Sequence, residues 1–66
     1  MSILIYAEYA EGKFKKAAFE LASYAKKVAE SLGTTVTAVT INAGDVSELS
    51  KYGVDKVLKV NNDELS

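Results

Sequence analysis

Ile3-Leu4-Ile5-Tyr6-Ala7 is a short, unbroken apolar run with no polar residue alternating through it. A strand wetted on one face alternates, whereas a strand covered on both faces of a parallel sheet reads as a continuous apolar stretch. The run predicts the first strand of such a sheet.

Working outward, the pattern changes to helical spacing between Lys13 and Leu32. Phe14, Ala18, Leu21, Ala25, Val28 and Leu32 step by 4, 3, 4, 3 and 4 and so share one predicted face. Ala17, Ala22 and Ala29 widen this stripe, while Lys15, Lys16, Glu20, Ser23, Lys26, Lys27 and Glu30 fall on the flanks or back. Gly33 ends the helix, because a residue without a Cβ takes the left-handed position at little cost. Thr34 to Ile41 is rich in β-branched residues and reads as a second strand. A turn at Asn42-Ala43-Gly44 leads to a short helix, Val46 to Tyr52, with Asp45 as its cap and Glu48 in the capping-box position. Gly53 stops that helix, and Val54 to Val60 supplies a third strand.

Strand, long helix, strand, short helix, strand is the βαβαβ order. With right-handed crossovers it makes a three-layer α/β fold, the Rossmann-like half of a doubly wound parallel sheet, with the second strand in the middle. The bare edge of the first strand invites further pairing. Asn61 to Ser66 resembles a helix N-terminus with Asn62 or Asp63 as cap. The 66 residues are expected to be a fragment, or to be completed by a partner.

Composition narrows the functions available. A domain of ~60 residues buries only about 60% of the surface its unfolded chain exposes, so small folds lean on disulfides, metals or partners. Cys and His are absent, which excludes disulfides, thiolate chemistry and imidazole or thiolate metal sites. Eight Lys stand against nine Asp and Glu, with no Arg, so the net charge of -1 offers no phosphate-binding surface and no nucleic-acid partner is expected. No apolar run approaches the ~20 residues that span a bilayer, and the apolar opening lacks a basic leader, so a cytoplasmic protein without membrane insertion is expected.

Ligands of this architecture bind in the loop after the first strand, at the carboxyl ends of the strands. That loop is Glu8-Tyr9-Ala10-Glu11-Gly12. It has a single glycine, no GxGxxG or GxxxxGK[ST] pattern, and two carboxylates that repel a pyrophosphate. Glu8 and Glu11 could serve acid-base chemistry or a hard cation, but no second reactive group or further oxygen ligand accompanies them. A solvated loop accounts for them better. The pairs Lys15-Lys16 and Lys26-Lys27, interspersed with Glu20 and Glu30, read as solubilising surface. Tyr6, Tyr24 and Tyr52 read as semi-buried packing residues. Phe19 is a misfit, lying about 140° from the stripe centred on Phe14, where the rest of the chain is not expected to cover it. Aromatics are enriched at interface cores, so Phe19, with Tyr9, is the candidate partner contact. No catalytic, cofactor-binding or metal residue is assigned.

Ser2-Ile-Leu-Ile-Tyr-Ala-Glu8, then Gly12-Lys13-Phe14-Lys15-Lys16-Ala17, Ala25-Lys-Lys-Val-Ala-Glu30, Leu32-Gly33, Val36-Thr-Ala-Val39 and Tyr52-Gly-Val-Asp-Lys-Val-Leu-Lys-Val60 stand in an order and spacing that resembles the start of electron transfer flavoprotein alpha subunits. The resemblance covers nearly the whole chain. It implies an adenine nucleotide alpha hydrolase-like fold and a subunit of several hundred residues that pairs with a beta subunit. It also implies that electrons arrive from flavin dehydrogenases at an FAD held mainly in the C-terminal domain, so no flavin-binding residue carries over to this chain. Residues 1 to 66 would then be a partial N-terminal domain with a structural and subunit-contact role, an electron carrier piece with no enzymatic activity of its own. The alternative is a small adenine-nucleotide-binding module of the universal-stress-like type.

Overall fold

A computed structural model describes residues 1–62. The long strands are β1 (Ser2–Tyr6), β4 (Thr35–Ile41) and β5 (Lys56–Val60), and they form one parallel sheet in the order β1-β4-β5. The second long strand therefore lies in the middle, as the βαβαβ order requires. Ser2 pairs with Thr35 and Tyr6 with Val39; on the other side Thr37 pairs with Lys56 and Ile41 with Val60. Helix α1 (Lys16–Leu32) connects β1 to β4, and a 3-10 helix, Ser47–Tyr52, connects β4 to β5. This is the α/β fold expected from the sequence.

Side chains at the two ends of β4 and β5 extend the ladder. The Asp55 main-chain N–H donates to the Val36 carbonyl at 2.9 Å, and the Asp55 carboxylate accepts from the Val36 N–H at 2.9 Å. At the far end the Asn42 N–H donates to the Val60 carbonyl at 2.7 Å. The Asn42 side chain then clasps the Asn62 backbone, donating to its carbonyl and accepting from its N–H, both at 2.8 Å. These polar side chains satisfy main-chain groups that the strand ends would otherwise leave open.

Three expectations need correction. First, residues 8–14 fold as a small hairpin, β2 (Tyr9–Ala10) against β3 (Lys13–Phe14), where a solvated loop and the start of the helix were expected. Glu11 and Gly12 form its turn with φ of 57° and 81°. Two successive positive φ values suit the primed turns that match the twist of paired strands.

Second, α1 begins at Lys16, and its buried face is Ala18, Ala22, Ala25 and Ala29. Leu21 and Leu32, assigned to the buried stripe, are exposed, and Phe14 reaches the core from β3. Removing Phe14 from the helix deprives the bulky stripe of its anchor. Methyl groups facing the sheet let the helix lie close to β1 and β4, against Ile5, Val36 and Ala38. Both predicted helix stops hold: Gly33 and Gly53 are left-handed, at φ 68° and 95°.

Third, the apolar run of β1 is covered on one face only among the described residues. Ile5 and Ala7 are buried beneath α1, but Leu4 is 65% exposed and Tyr6 51%. The register places Val39 and Ile41 of β4 and Leu58 and Val60 of β5 on the same side as Leu4 and Tyr6. The described sheet thus presents one packed face and one open apolar face. Tyr24 is also exposed, in contrast to the semi-buried packing expected of it. The expected cap at Asn62 or Asp63 falls partly outside the described residues: Asn62 is held by Asn42, and Asp63 is not described.

Candidate functional site

The carboxyl ends of β1 and β4 open into a cleft of about 490 Å³ roofed by the β2–β3 hairpin. Tyr6, Glu8, Tyr9, Glu11 and Asn42 contribute to its lining. The hairpin is held in place at its base, where the Lys15 N–H donates to the Glu8 carbonyl at 3.0 Å. Its inner face is held by packing. The Tyr9 ring meets Phe14 edge-on with centroids 4.9 Å apart, and the Tyr9 hydroxyl reaches Gly44, where an added Cβ would lie 2.9 Å from it. A glycine at 44 therefore lets the loop after β4 close on the hairpin.

Phe14 passes the contact onward to Phe19, with centroids 6.0 Å apart, and Phe19 stacks on Tyr52 at 4.6 Å. The two candidate partner-contact residues, Tyr9 and Phe19, are thus joined through Phe14 in one aromatic row inside the chain. The expectation that the chain leaves Phe19 uncovered is overturned. Phe19 is half-buried, because the short helix brings Tyr52 over it. A helical wheel of α1 alone cannot show this, since the covering residue lies more than thirty positions away.

The chemistry of the cleft is that of exposed carboxylates and phenols. Glu8 and Glu11 are solvated, and the lining carries no lysine. A flavin or nucleotide pyrophosphate needs main-chain N–H groups in a glycine-rich turn or a cation beside it, and the hairpin presents carboxylates in that place. The residues present do not fit such a group. Among the described residues, no cluster of three or more His, Cys, Asp or Glu could hold a metal ion. A second, more open cleft of about 590 Å³ lies between α1 and the short helix with the loop that follows it, lined by Lys26, Lys27 and Lys51 together with Glu30 and Asp55. Its mixed charge gives no preference for an anion or a cation.

In the loop after β4, Asp45 accepts from the Ser47 N–H at 2.9 Å. That main-chain bond, helped by the Ser47 hydroxyl, holds the Asp45 carboxyl below its usual range. The capping box expected with Glu48 does not form, because the residues after Asp45 take a 3-10 turn whose cap position is Val46.

Residues 3–66 match the family described as the electron transfer flavoprotein domain. The chain belongs to that family. It is 36% identical over 67 aligned positions to the electron transfer flavoprotein subunit alpha of Clostridium acetobutylicum, covering 97% of this chain and 20% of that protein. It is 32% identical over 65 positions to Protein FixB of Clostridium saccharobutylicum, covering 96% of this chain and again 20% of the relative. The chain spans about a fifth of the length of these relatives. No described helix of this electron transfer flavoprotein domain is long and apolar enough to cross a membrane.

Proposed function

We propose that these residues form the amino-terminal α/β portion of an electron transfer flavoprotein alpha subunit, serving as scaffold and subunit contact without a redox group of its own. The observation that carries the reading is the family match along residues 3–66, a span that takes in the described βαβαβ order. In this reading a beta subunit is the partner, and electrons from flavin dehydrogenases pass through FAD bound elsewhere in the complete alpha subunit. The carboxylate-lined cleft supports placing the flavin outside these residues. The open apolar sheet face supports a role in which something packs against the domain.

The position of the cleft at the carboxyl ends of the strands favours one rival, a small adenine-nucleotide-binding module. Calorimetric titration of the chain with FAD, AMP and ATP separates the readings. The scaffold reading expects no saturable binding of any of the three. Micromolar binding of AMP or ATP would install the rival, and stoichiometric FAD would overturn the assignment of the flavin to other residues. Co-expression with the beta subunit from the same genome tests the contact role: a complex that survives size-exclusion chromatography is expected, and its absence removes that role.

A further inference from the structure

Among the described residues, two other than glycine take positive φ, Glu11 at 57° and Asn42 at 54°. Both line the cleft at the carboxyl ends of β1 and β4. The hairpin turn accounts for Glu11. Asn42 follows the last residue of β4, in a conformation that asparagine tolerates better than most residues with a Cβ.

Its place in the ladder gives Asn42 a second task. In a parallel pair the N–H and the carbonyl of one residue reach the same neighbouring strand, one to each side of the residue opposite. Ile41 pairs with Val60, and the Asn42 N–H donates to the Val60 carbonyl at 2.7 Å. A regular continuation would have the Asn62 N–H donate to the Asn42 main-chain carbonyl. Instead it donates to the Asn42 Oδ1 at 2.8 Å, and the Asn42 Nδ2 donates to the Asn62 carbonyl at 2.8 Å. The carboxamide stands in for a main chain that has turned away. The other end of the pair is closed by the same substitution. Gly53, at φ 95°, leaves the strand path, and Asp55 Oδ2 takes the Val36 N–H that a regular ladder would give to the Gly53 carbonyl.

We propose that Asn42 is a positioning residue for the cleft: it lets β4 leave the sheet while the chain of β5 runs on beside it to Asn62. The divergence carries the loop after β4 toward the hairpin, where Gly44 receives the Tyr9 hydroxyl. Asparagine joins in one residue a tolerance of positive φ and a side chain that both donates and accepts. Aspartate keeps the acceptor and loses the donor, and glycine keeps the φ and loses both. The inference rests on bonds made between residues 36 and 62 and does not depend on the electron-transfer reading.

The test is amide hydrogen exchange of the 66-residue chain, resolved by NMR, with Ala38, which pairs with Val57 within the β4–β5 ladder, as reference. In Asn42→Gly the Asn62 amide should exchange roughly tenfold faster or more relative to Ala38, because two hydrogen bonds are gone. The contact of Tyr9 with Gly44 should persist in its nuclear Overhauser spectra, since the turn is kept. Asn42→Asp should retain part of the protection, because its carboxylate still accepts from the Asn62 N–H. Asn42→Ala, which disfavours positive φ, should loosen the Tyr9–Gly44 contact. An Asn62 amide equally protected in wild type and Asn42→Gly overturns the proposal. So does a loss shared equally by Ala38, which would mark general destabilisation, or a Tyr9–Gly44 contact unchanged in Asn42→Ala.

Discussion

The rings of Phe19 and Tyr52 stack with centroids 4.6 Å apart and 24° between their planes, joining the first turn of α1 to the last residue of the short helix. The connection between β4 and β5 has few large side chains of its own in the core, chiefly Leu49 and Val54. The stack is therefore a main fastening of that connection to the rest of the chain.

A double-mutant cycle of Phe19→Ala and Tyr52→Ala should give a coupling of about 0.5–1.5 kcal/mol, the range for an aromatic pair beyond its area burial. Urea denaturation of the two single variants and the double variant measures it. Additive losses would show that the rings act independently.

Gly53→Ala and Gly33→Ala should separate two costs that are usually confounded. Both glycines are left-handed, so alanine is strained at either, by about 1 kcal/mol. At Gly33 the added Cβ meets nothing within 4 Å, whereas at Gly53 it would lie 2.6 Å from Cγ of Lys26. Gly53→Ala should therefore be the more destabilising in thermal melts, and Lys26→Ala in the same chain should recover part of the difference.

Thr40→Val should leave stability unchanged or raise it by up to about 1 kcal/mol, because a buried hydroxyl without a partner forfeits its hydration for no return. Thr40 is fully buried, and its hydroxyl finds no hydrogen-bond partner among the described residues. A loss above 1 kcal/mol in chemical denaturation would show that the hydroxyl is satisfied in solution.

The Asp45–Ser47 contact should respond to acid. The carboxyl titrates below its ordinary 3.8 in the folded chain, so its stabilising contribution is present above that value and is lost as pH falls through the lowered one. The Ser47 amide resonance should shift with a midpoint below 3.8, and Asp45→Asn should abolish the shift. A midpoint at or above 3.8 would remove the bond from the account.

The strand order, the central place of β4 and the two left-handed glycines were legible in the residues, because each rests on local chemistry. β-branched runs favour strands, and a glycine, tolerant of positive φ, is a common helix stop. The hairpin was not legible, since Glu11 at positive φ is not a residue that announces a primed turn. The rotation of α1 was hidden for a different reason: counting Leu and Phe rewards large side chains, while the sheet selects the alanine seam for closeness. The Ile3–Ala7 run could report that both faces of β1 are apolar. It could not report that, among the described residues, only one of them is packed.

The candidate site divides in the same way. The absence of a glycine-rich phosphate turn could be read directly from residues 8–12. The partnership of Phe19 with Tyr52 could not, because it depends on how two helices settle on one face of a sheet.

The alanine seam of α1 carries a consequence for how this domain tolerates change. With only alanine methyls on the buried face of the helix, there is little slack for a longer side chain at positions 18, 22, 25 or 29, and one added there acts as a wedge that lifts the helix from the sheet. The outward side, with Leu21, Tyr24 and Leu32, can be redecorated without touching that fit. Sequence drift is thus channelled to one half of the helix circumference, and the inner half is held to residues no larger than those it has.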